Sequence, residues 1–519
     1  MVAHETGDAL SSPAHPRGAT VDAATLRDML IGRAAADPHM LAFDDGRRSV
    51  TFRELLARAA GQAAELARVG VGAGDRVAFV MSSGVSFVEA FWAAQLLGAS
   101  TCVFNPNVPA RTLERRVAGA RPRAVIEDGT LDGAPASSAI PPEPPTETED
   151  VAILQPTSGT SGVPRIAMVR HRNVLAYLQG LGSALMSPGD VFVQWVPPWH
   201  DLGLVRFVVA GAYMGATCHI VEPAVRTIPQ FLATVSRTRA TVTAAPDFAY
   251  RLAPRMVDPA AVDLSSLRVA TNGGEPVRHS TNLAFESRFG LGELVLPAYG
   301  LAEATLGVTA VLPGERRTLD AHGNVSCGRS GAGVEVRVEG DAGAPGEILL
   351  RGGTIFAGYL DAPEATEEVL RDGWLHTGDV GYVDGEGRLF VLGRERAMIK
   401  RGGAVVAPRE LEEAAQSVEG VGIVAAAGVP DRGAGMTEAV AVVAEHKRAG
   451  TAEAKIVADA VMRAVRDALG FGPATVAVVP PRTIPRTENG KIRHARLREM
   501  LLEGVIEEVA APGVRAGTR

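Results

Sequence analysis

Lysine is nearly absent. The chain has 519 residues and 52 basic ones, yet only four are lysines: Lys400, Lys447, Lys455 and Lys491. None precedes Lys400, and every other basic residue is arginine. An ammonium and a guanidinium are not interchangeable, so a lysine retained in a Gly-rich loop, as at Lys491, draws attention. Cysteine is scarce as well. Cys102, Cys218 and Cys327 stand far apart and odd in number. That excludes a paired disulfide framework and a zinc-type spacing, and it fits a reducing cytoplasm. No run approaches the ~20 apolar residues needed to span a bilayer. There is no basic run and the net charge is -7, so the footprint of a nucleic-acid binder is missing. What remains is an ordinary globular composition, 46% hydrophobic and 21% charged.

At this length two or three domains are expected. The first 21 residues are rich in Ser, Pro, Gly and His, lack the apolar core of a signal peptide, and read as a disordered tail. Apolar spacing is helical over 22–70. Strand-like runs at 75–81, 100–104 and 151–155 then alternate with a helical stretch at 88–97, as βαβ units and a parallel sheet require. Residues 128–150 read as loop. Further strands are expected at 191–196, 216–221, 241–244, 267–271 and 294–296. Past Cys327 the strands shorten and are broken by glycine, at 334–338, 347–351, 381–383 and 389–392. Helices return at 409–417 and 452–469. The predicted fold is therefore α/β: a large N-terminal region of βαβ layers with a β-rich subdomain, then a small, mobile C-terminal α+β domain. The boundaries expected are 22–392, a hinge at 393–397, 398–510, and a tail at 511–519.

The strongest chemical signal follows the strand at 151. Thr157-Ser158-Gly159-Thr160-Ser161-Gly162-Val163-Pro164-Arg165 is too rich in hydroxyls and glycine for stable helix or strand. It leaves backbone N–H groups free to cradle phosphate oxygens, and Arg165 can meet the terminal phosphates. The spacing is not that of a Walker loop. Further segments follow in order: Asn272-Gly273-Gly274-Glu275-Pro276, Tyr299-Gly300-Leu301-Ala302-Glu303-Ala304-Thr305, Gly373-Trp374-Leu375-His376-Thr377-Gly378-Asp379, Gly393-Arg394, and Pro485-Arg486-Thr487-Glu488-Asn489-Gly490-Lys491.

These segments resemble the adenylate-forming superfamily, which includes acyl-CoA synthetases, fatty acyl-AMP ligases, peptide-synthetase adenylation domains and luciferases. The resemblance covers residues 22–501. It implies ATP and Mg²⁺, an acyl-adenylate, and transfer of the acyl group to a phosphopantetheine thiol. Thr157, Ser158, Gly159, Thr160, Ser161, Gly162 and Arg165 would hold phosphates. Gly273, Gly274 and Glu275 would border the adenine, with Tyr299 and Gly300 on its face. Asp379, at a turn, and Arg394 would take the ribose. Glu303 would carry Mg²⁺, because a bare carboxylate beside a triphosphate would repel it. Lys491, Glu303, Thr160 and His200 form the expected catalytic set. Lys400, Gly402 and Gly403 are expected to serve the thiol step. Trp195-Val196-Pro197-Pro198-Trp199-His200-Asp201-Leu202-Gly203 and Glu275-Pro276-Val277-Arg278 look most like the fatty acyl-AMP ligase versions. That implies a fatty acid and an acyl carrier protein, with CoA, an aromatic or other acid, and luciferase-like oxidation as alternatives. No nucleic acid partner and no membrane span are expected.

The chain departs from the family pattern in four places. Arg165 and Ile166 replace the usual Lys and Gly. Ala397 stands where relatives carry Asp at the hinge. Ala404-Val405-Val406-Ala407-Pro408 replaces Asn-Ile-Tyr-Pro. The stretch 364–374 lacks the insertion of fatty acyl-AMP ligases, which weakens the carrier-protein expectation.

Overall fold

The computed structural model describes residues 20–157, 165–401, 404–431, 438–447, 449–450, 452–486 and 492–506. Two sheets form the large N-terminal region. The first runs Ala124–Glu127, Arg76–Val80, Ser100–Val103, Val151–Pro156 and Ile166–Arg170. Its first four strands are parallel and the last is antiparallel. The second has nine strands. Its centre is parallel, from Val295–Gly300 through Val269–Asn272, Val242–Ala245, Val191–Gln194 and Thr217–Ile220 to Leu41–Asp44. Antiparallel strands close both edges. The α/β expectation holds, with the difference that both sheets are mixed.

Between the layers lies the helix Val85–Leu96, in which every residue but Ser86 is buried. Its residues are apolar but for Ser86, Glu89 and Gln95, and the last two are paired with Arg48 and the Ala152 carbonyl, as a core helix requires. The helical spacing expected over 22–70 is interrupted. Helices Leu26–Ala36 and Phe52–Arg68 flank the antiparallel pair Leu41–Asp44 and Ser49–Thr51. The reason is turn chemistry at Asp44-Asp45-Gly46. Gly46 sits at φ 78, and its amide donates to Asp44 Oδ1 at 2.9 Å. Thr51 and Glu54 then start the second helix with reciprocal bonds of a capping box.

A third, antiparallel sheet holds Val334–Val338, Gly346–Gly352, Trp374–Val383 and Leu389–Arg394. The smaller C-terminal domain packs Val424–Pro430, Glu438–Glu445 and Thr475–Val479 against helices Pro408–Gln416 and Ala454–Leu469. It touches the large region through Pro408–Gln416: Arg409 is buried and donates to the carbonyl of Val277, and Glu413 lies 3.9 Å from Arg278. Cys102, Cys218 and Cys327 are free and buried. No helix among the described residues is long and apolar enough to cross a membrane.

Candidate active site

The strands Val151–Pro156 and Ile166–Arg170 are the arms of a hairpin, the second of which the sequence reading missed. Thr157 closes its mouth. Its amide and its hydroxyl donate to the Arg165 carbonyl at 2.8 and 3.1 Å. The expected phosphate loop therefore leaves and returns at one point. Ser158, Gly159, Thr160, Ser161 and Gly162 lie outside the described residues.

The segment 357–360 runs antiparallel along the outer arm, with backbone bonds from Met168 to Gly358, Ala357 to Met168 and Leu360 to Ile166. That pairing sets Tyr359 beside Arg165, whose guanidinium carbon lies 5.1 Å from the ring centroid. Arg165 also lies 3.5 Å from Glu368. The Tyr359 hydroxyl donates to Glu303 Oε1 at 2.8 Å. Burial and the Glu303 carboxylate both push the tyrosine's pKa up, so it remains a donor. Tyr359 is the residue that sequence reasoning missed here. Its only signal was an aromatic after Gly358 in a short loop.

Glu303 stands on the 3₁₀ turn Ala302–Ala304. The following residue, Thr305, is β-branched yet sits at φ 71 and ψ -50, and the Leu306 amide donates across it to the Ala304 carbonyl at 2.8 Å. This is a strained γ-turn. Thr305 is held there by its own hydroxyl, which donates to the Thr354 carbonyl at 2.6 Å. Gly300, just upstream, has no room for a side chain: a Cβ would lie 1.8 Å from the Leu306 oxygen.

A second cluster joins Tyr299, Asp379 and Arg394. Asp379 was expected at a turn. It lies instead inside the strand Trp374–Val383, directly opposite Arg394 on Leu389–Arg394. Gly378 at φ 67 and an irregularity at Val380/Gly381 make the local sequence look like a turn while the pairing continues. Asp379 accepts from the Tyr299 hydroxyl at 2.7 Å and forms an ion pair with Arg394, whose Nε lies 2.9 Å away. Arg394 Nη1 also donates to the Thr377 carbonyl at 2.8 Å. Burial and Asp379 raise the Tyr299 pKa. Asp379 outweighs burial and raises that of Arg394.

Gly273 and Gly274 follow the end of the strand Val269–Asn272. A Cβ on Gly273 would sit 3.2 Å from the Ala298 oxygen. Gly274, at φ 83, faces His200, whose Cε1 lies 3.8 Å from that Cβ position. His200 Nδ1 is 2.6 Å from Asp201 Oδ1. Glu275 accepts from the Phe248 amide at 2.6 Å, at the start of the helix Asp247–Met256. The structure thus gathers Glu303 with Arg165, Tyr299 with Asp379 and Arg394, and His200 with Gly274. These groups come from carboxyl ends of parallel strands and the adjoining sheet, where α/β sheets bind ligands. Lys400 is exposed on the C-terminal hairpin strand Ile399–Arg401, its amide donating to Glu438 at 2.8 Å. Gly402, Gly403 and Lys491 lie outside the described residues.

This fold and site define an enzyme of the adenylate-forming superfamily. The chain belongs to the family of AMP-binding enzymes, whose model matches residues 32–360. It is 31% identical to the long-chain-fatty-acid–AMP ligase FadD26 of Mycobacterium marinum, over 86% of this chain and 90% of that one. It is 29% identical to a feruloyl-CoA synthase of Amycolatopsis, over 90% and 97%. Among solved structures it resembles one from structural and functional studies of fatty acyl-adenylate ligases from E. coli and L. pneumophila. The TM-score is 0.82 and the identity 25%, covering 93% of this chain and 98% of that chain.

Proposed function

We propose that this protein activates a carboxylic acid with ATP, forming an acyl-adenylate and pyrophosphate, and passes the acyl group to a phosphopantetheine thiol. The observation that supports this most is the pairing of two clusters on one edge. Asp379, aimed by Tyr299 and Arg394, offers carboxylate oxygens to a ribose. Glu303, aimed by Tyr359, stands next to a cation at the mouth of the hydroxyl-rich loop. The glycines at 273 and 274 admit a flat base close to backbone. Pyrophosphate release or ATP–pyrophosphate exchange across a panel of acids tests the reading. Exchange with no acid would overturn it.

Mg²⁺ suits this site because its ligands are hard oxygens. Glu303 would hold it, and the ion would neutralise phosphate charge when bound. The roles of Tyr359 and Glu303 separate by mutation. Glu303→Gln keeps the shape and loses the charge, so the Mg²⁺ needed for half-maximal rate should rise about tenfold or more, as for a loss of roughly 1.4 kcal/mol. Tyr359→Phe keeps the ring against Arg165 and removes only the donor, so it should shift the requirement in the same direction by less. An unchanged Mg²⁺ dependence in Glu303→Gln would return that residue to a structural role.

A carrier protein is the leading acceptor, on the motifs at 195–203 and 275–278. One observation favours CoA as the second reading. The helix Pro363–Val369 passes directly into the strand pair Leu370–Arg371 and Trp374–Val383, with Asp372 and Gly373 alone between them. Nothing is inserted there to obstruct a moving domain. Mass spectrometry of the product with CoA and with a holo carrier protein decides between them. Residues 22–392 are proposed as the adenylation domain, 393–397 as the hinge and 398–510 as the moving domain. If the hinge swaps loops between steps, Lys400→Ala should leave acid-dependent pyrophosphate release unchanged. It should slow thioester formation from acyl-AMP tenfold or more, about 1.4 kcal/mol. Equal loss in both half-reactions, or in neither, would refute the swap.

A further inference from the structure

Three residues of the strand Trp374–Val383 face a single residue of its neighbour. On Gly346–Gly352, Glu347 pairs with Val380 and Leu349 pairs with His376, so Ile348 alone stands opposite Thr377, Gly378 and Asp379. A bulge of this kind leaves backbone groups without ladder partners, and a buried amide with no acceptor is costly. Side chains take the missing places. The Gly378 amide donates to Glu347 Oε1 at 2.8 Å, and the Asp379 amide donates to the Thr377 hydroxyl oxygen at 3.1 Å. That hydroxyl itself donates to the Ile348 carbonyl at 2.7 Å. The other oxygen of Glu347, Oε2, lies 2.9 Å from His376 Nδ1. One largely buried carboxylate therefore holds the strand on both sides of Thr377.

The bulge carries Asp379. Gly378 sits at φ 67, left-handed backbone that glycine adopts without strain. On its far side the bulged strand keeps its pairing, with Asp379 opposite Arg394. The Thr377 carbonyl accepts from Arg394 Nη1 at 2.8 Å, so one short segment fixes both the carboxylate and its cation. Without Glu347 the Gly378 amide would be stranded. The segment could recover a ladder bond by slipping one residue, and such a slip turns side chains to the opposite face of a sheet. Asp379 would then turn away from Tyr299 and Arg394.

The length and type of the residue at 347 both matter. Aspartate would be one methylene short of the Gly378 amide. Glutamine would still accept from that amide, and its NH₂ could donate to His376 Nδ1.

We propose that Glu347 is a positioning residue for ATP, holding the bulge at Gly378 so that Asp379 is aimed at the ribose hydroxyls. This rests on the adenylation reading above, in which Asp379 takes the ribose. The test compares ATP with an analogue lacking both ribose hydroxyls, in wild type, Glu347→Ala, Glu347→Gln, Asp379→Ala and the double alanine variant. Glu347→Ala should raise KM for ATP about tenfold and leave kcat within about twofold, the pattern of a binding contact made equally in ground and transition states. With the analogue, Glu347→Ala and wild type should have the same KM. Glu347→Gln should restore the wild-type KM for ATP. The double variant should lose no more than Asp379→Ala, because both changes act on one contact. Glu347→Asp should lose as much as Glu347→Ala and carries the comparison if the alanine variant does not fold. Equal losses with ATP and the analogue, additive losses in the double variant, or a wild-type KM for ATP in Glu347→Ala each overturn the inference and leave adenylation standing. If wild type does not distinguish ATP from the analogue, the ribose reading fails and the inference falls with it. If no acid releases pyrophosphate, adenylation fails instead, and equilibrium binding of ATP and the analogue decides the role of Glu347 by the same comparison.

Discussion

Lys491→Ala is expected to reduce acid-dependent pyrophosphate release by about 10²–10³-fold while transfer from preformed acyl-AMP continues near the wild-type rate. Attack of a carboxylate on the α-phosphate brings two anions together. Negative charge accumulates where they meet, and one mobile ammonium touching both lowers that barrier. Once the adenylate exists, that conflict is over, and the thiol step has no use for the same contact. The chain's scarcity of lysine sharpens the expectation, because arginine has taken nearly every other basic position. A guanidinium is broader and planar, so Lys491→Arg should rescue poorly. Single-turnover pyrophosphate release, measured beside thioester formation from synthetic acyl-AMP, checks the split. Near-normal release in Lys491→Ala would show that the assigned role is wrong.

Asp247→Ala should destabilise the N-terminal domain by about 3–5 kcal/mol, the cost of stripping one partner from a buried ion pair. Asp247 is fully buried. It accepts from the Arg278 amide at 2.9 Å, the Thr281 hydroxyl at 3.0 Å, Asn272 Nδ2 at 3.2 Å and Arg278 Nη1 at 3.4 Å. Burial disfavours the charge on Arg278, and Asp247 with the glutamates at 412, 413 and 275 more than restores it. Removing Asp247 leaves that guanidinium underpaired and takes one of two side-chain acceptors from Asn272, which keeps Asn282 at 2.9 Å and leads into Gly273 and Gly274. A raised KM for ATP should therefore accompany the lower stability. Asp247→Asn, which keeps an acceptor, should lose less. Denaturant unfolding of the two variants decides it: a loss below about 1 kcal/mol in Asp247→Ala would mean that the network is not holding this edge.

The candidate site was legible in part. Glu303 was expected beside a phosphate site because it lies in a loop just after a strand; the strained turn at Thr305 that follows it shows only in the structure. Asp379 was recognised as a residue, but its surroundings were misjudged. Thr-Gly before it reads as a turn, and only the pairing with Leu389–Arg394 shows a continuous strand. Tyr359 escaped notice because its partner, Glu303, is far away in sequence. The hairpin arm Ile166–Arg170 was missed for a similar reason: its five residues take meaning from the strands beside them.

Local signals were enough for the α/β alternation, because buried strands and amphipathic helices differ in hydrophobic period within a few residues. They were also enough for the order of the motifs and for the change of texture after Cys327. The tertiary structure alone decided which side chains face each other. Tyr359 reaches Glu303 through a strand-like pairing across the hairpin, Arg394 lies opposite Asp379, and Arg409 and Glu413 dock the small domain on Val277 and Arg278. Contacts between side chains far apart in sequence are properties of three-dimensional packing, and no local pattern encodes them.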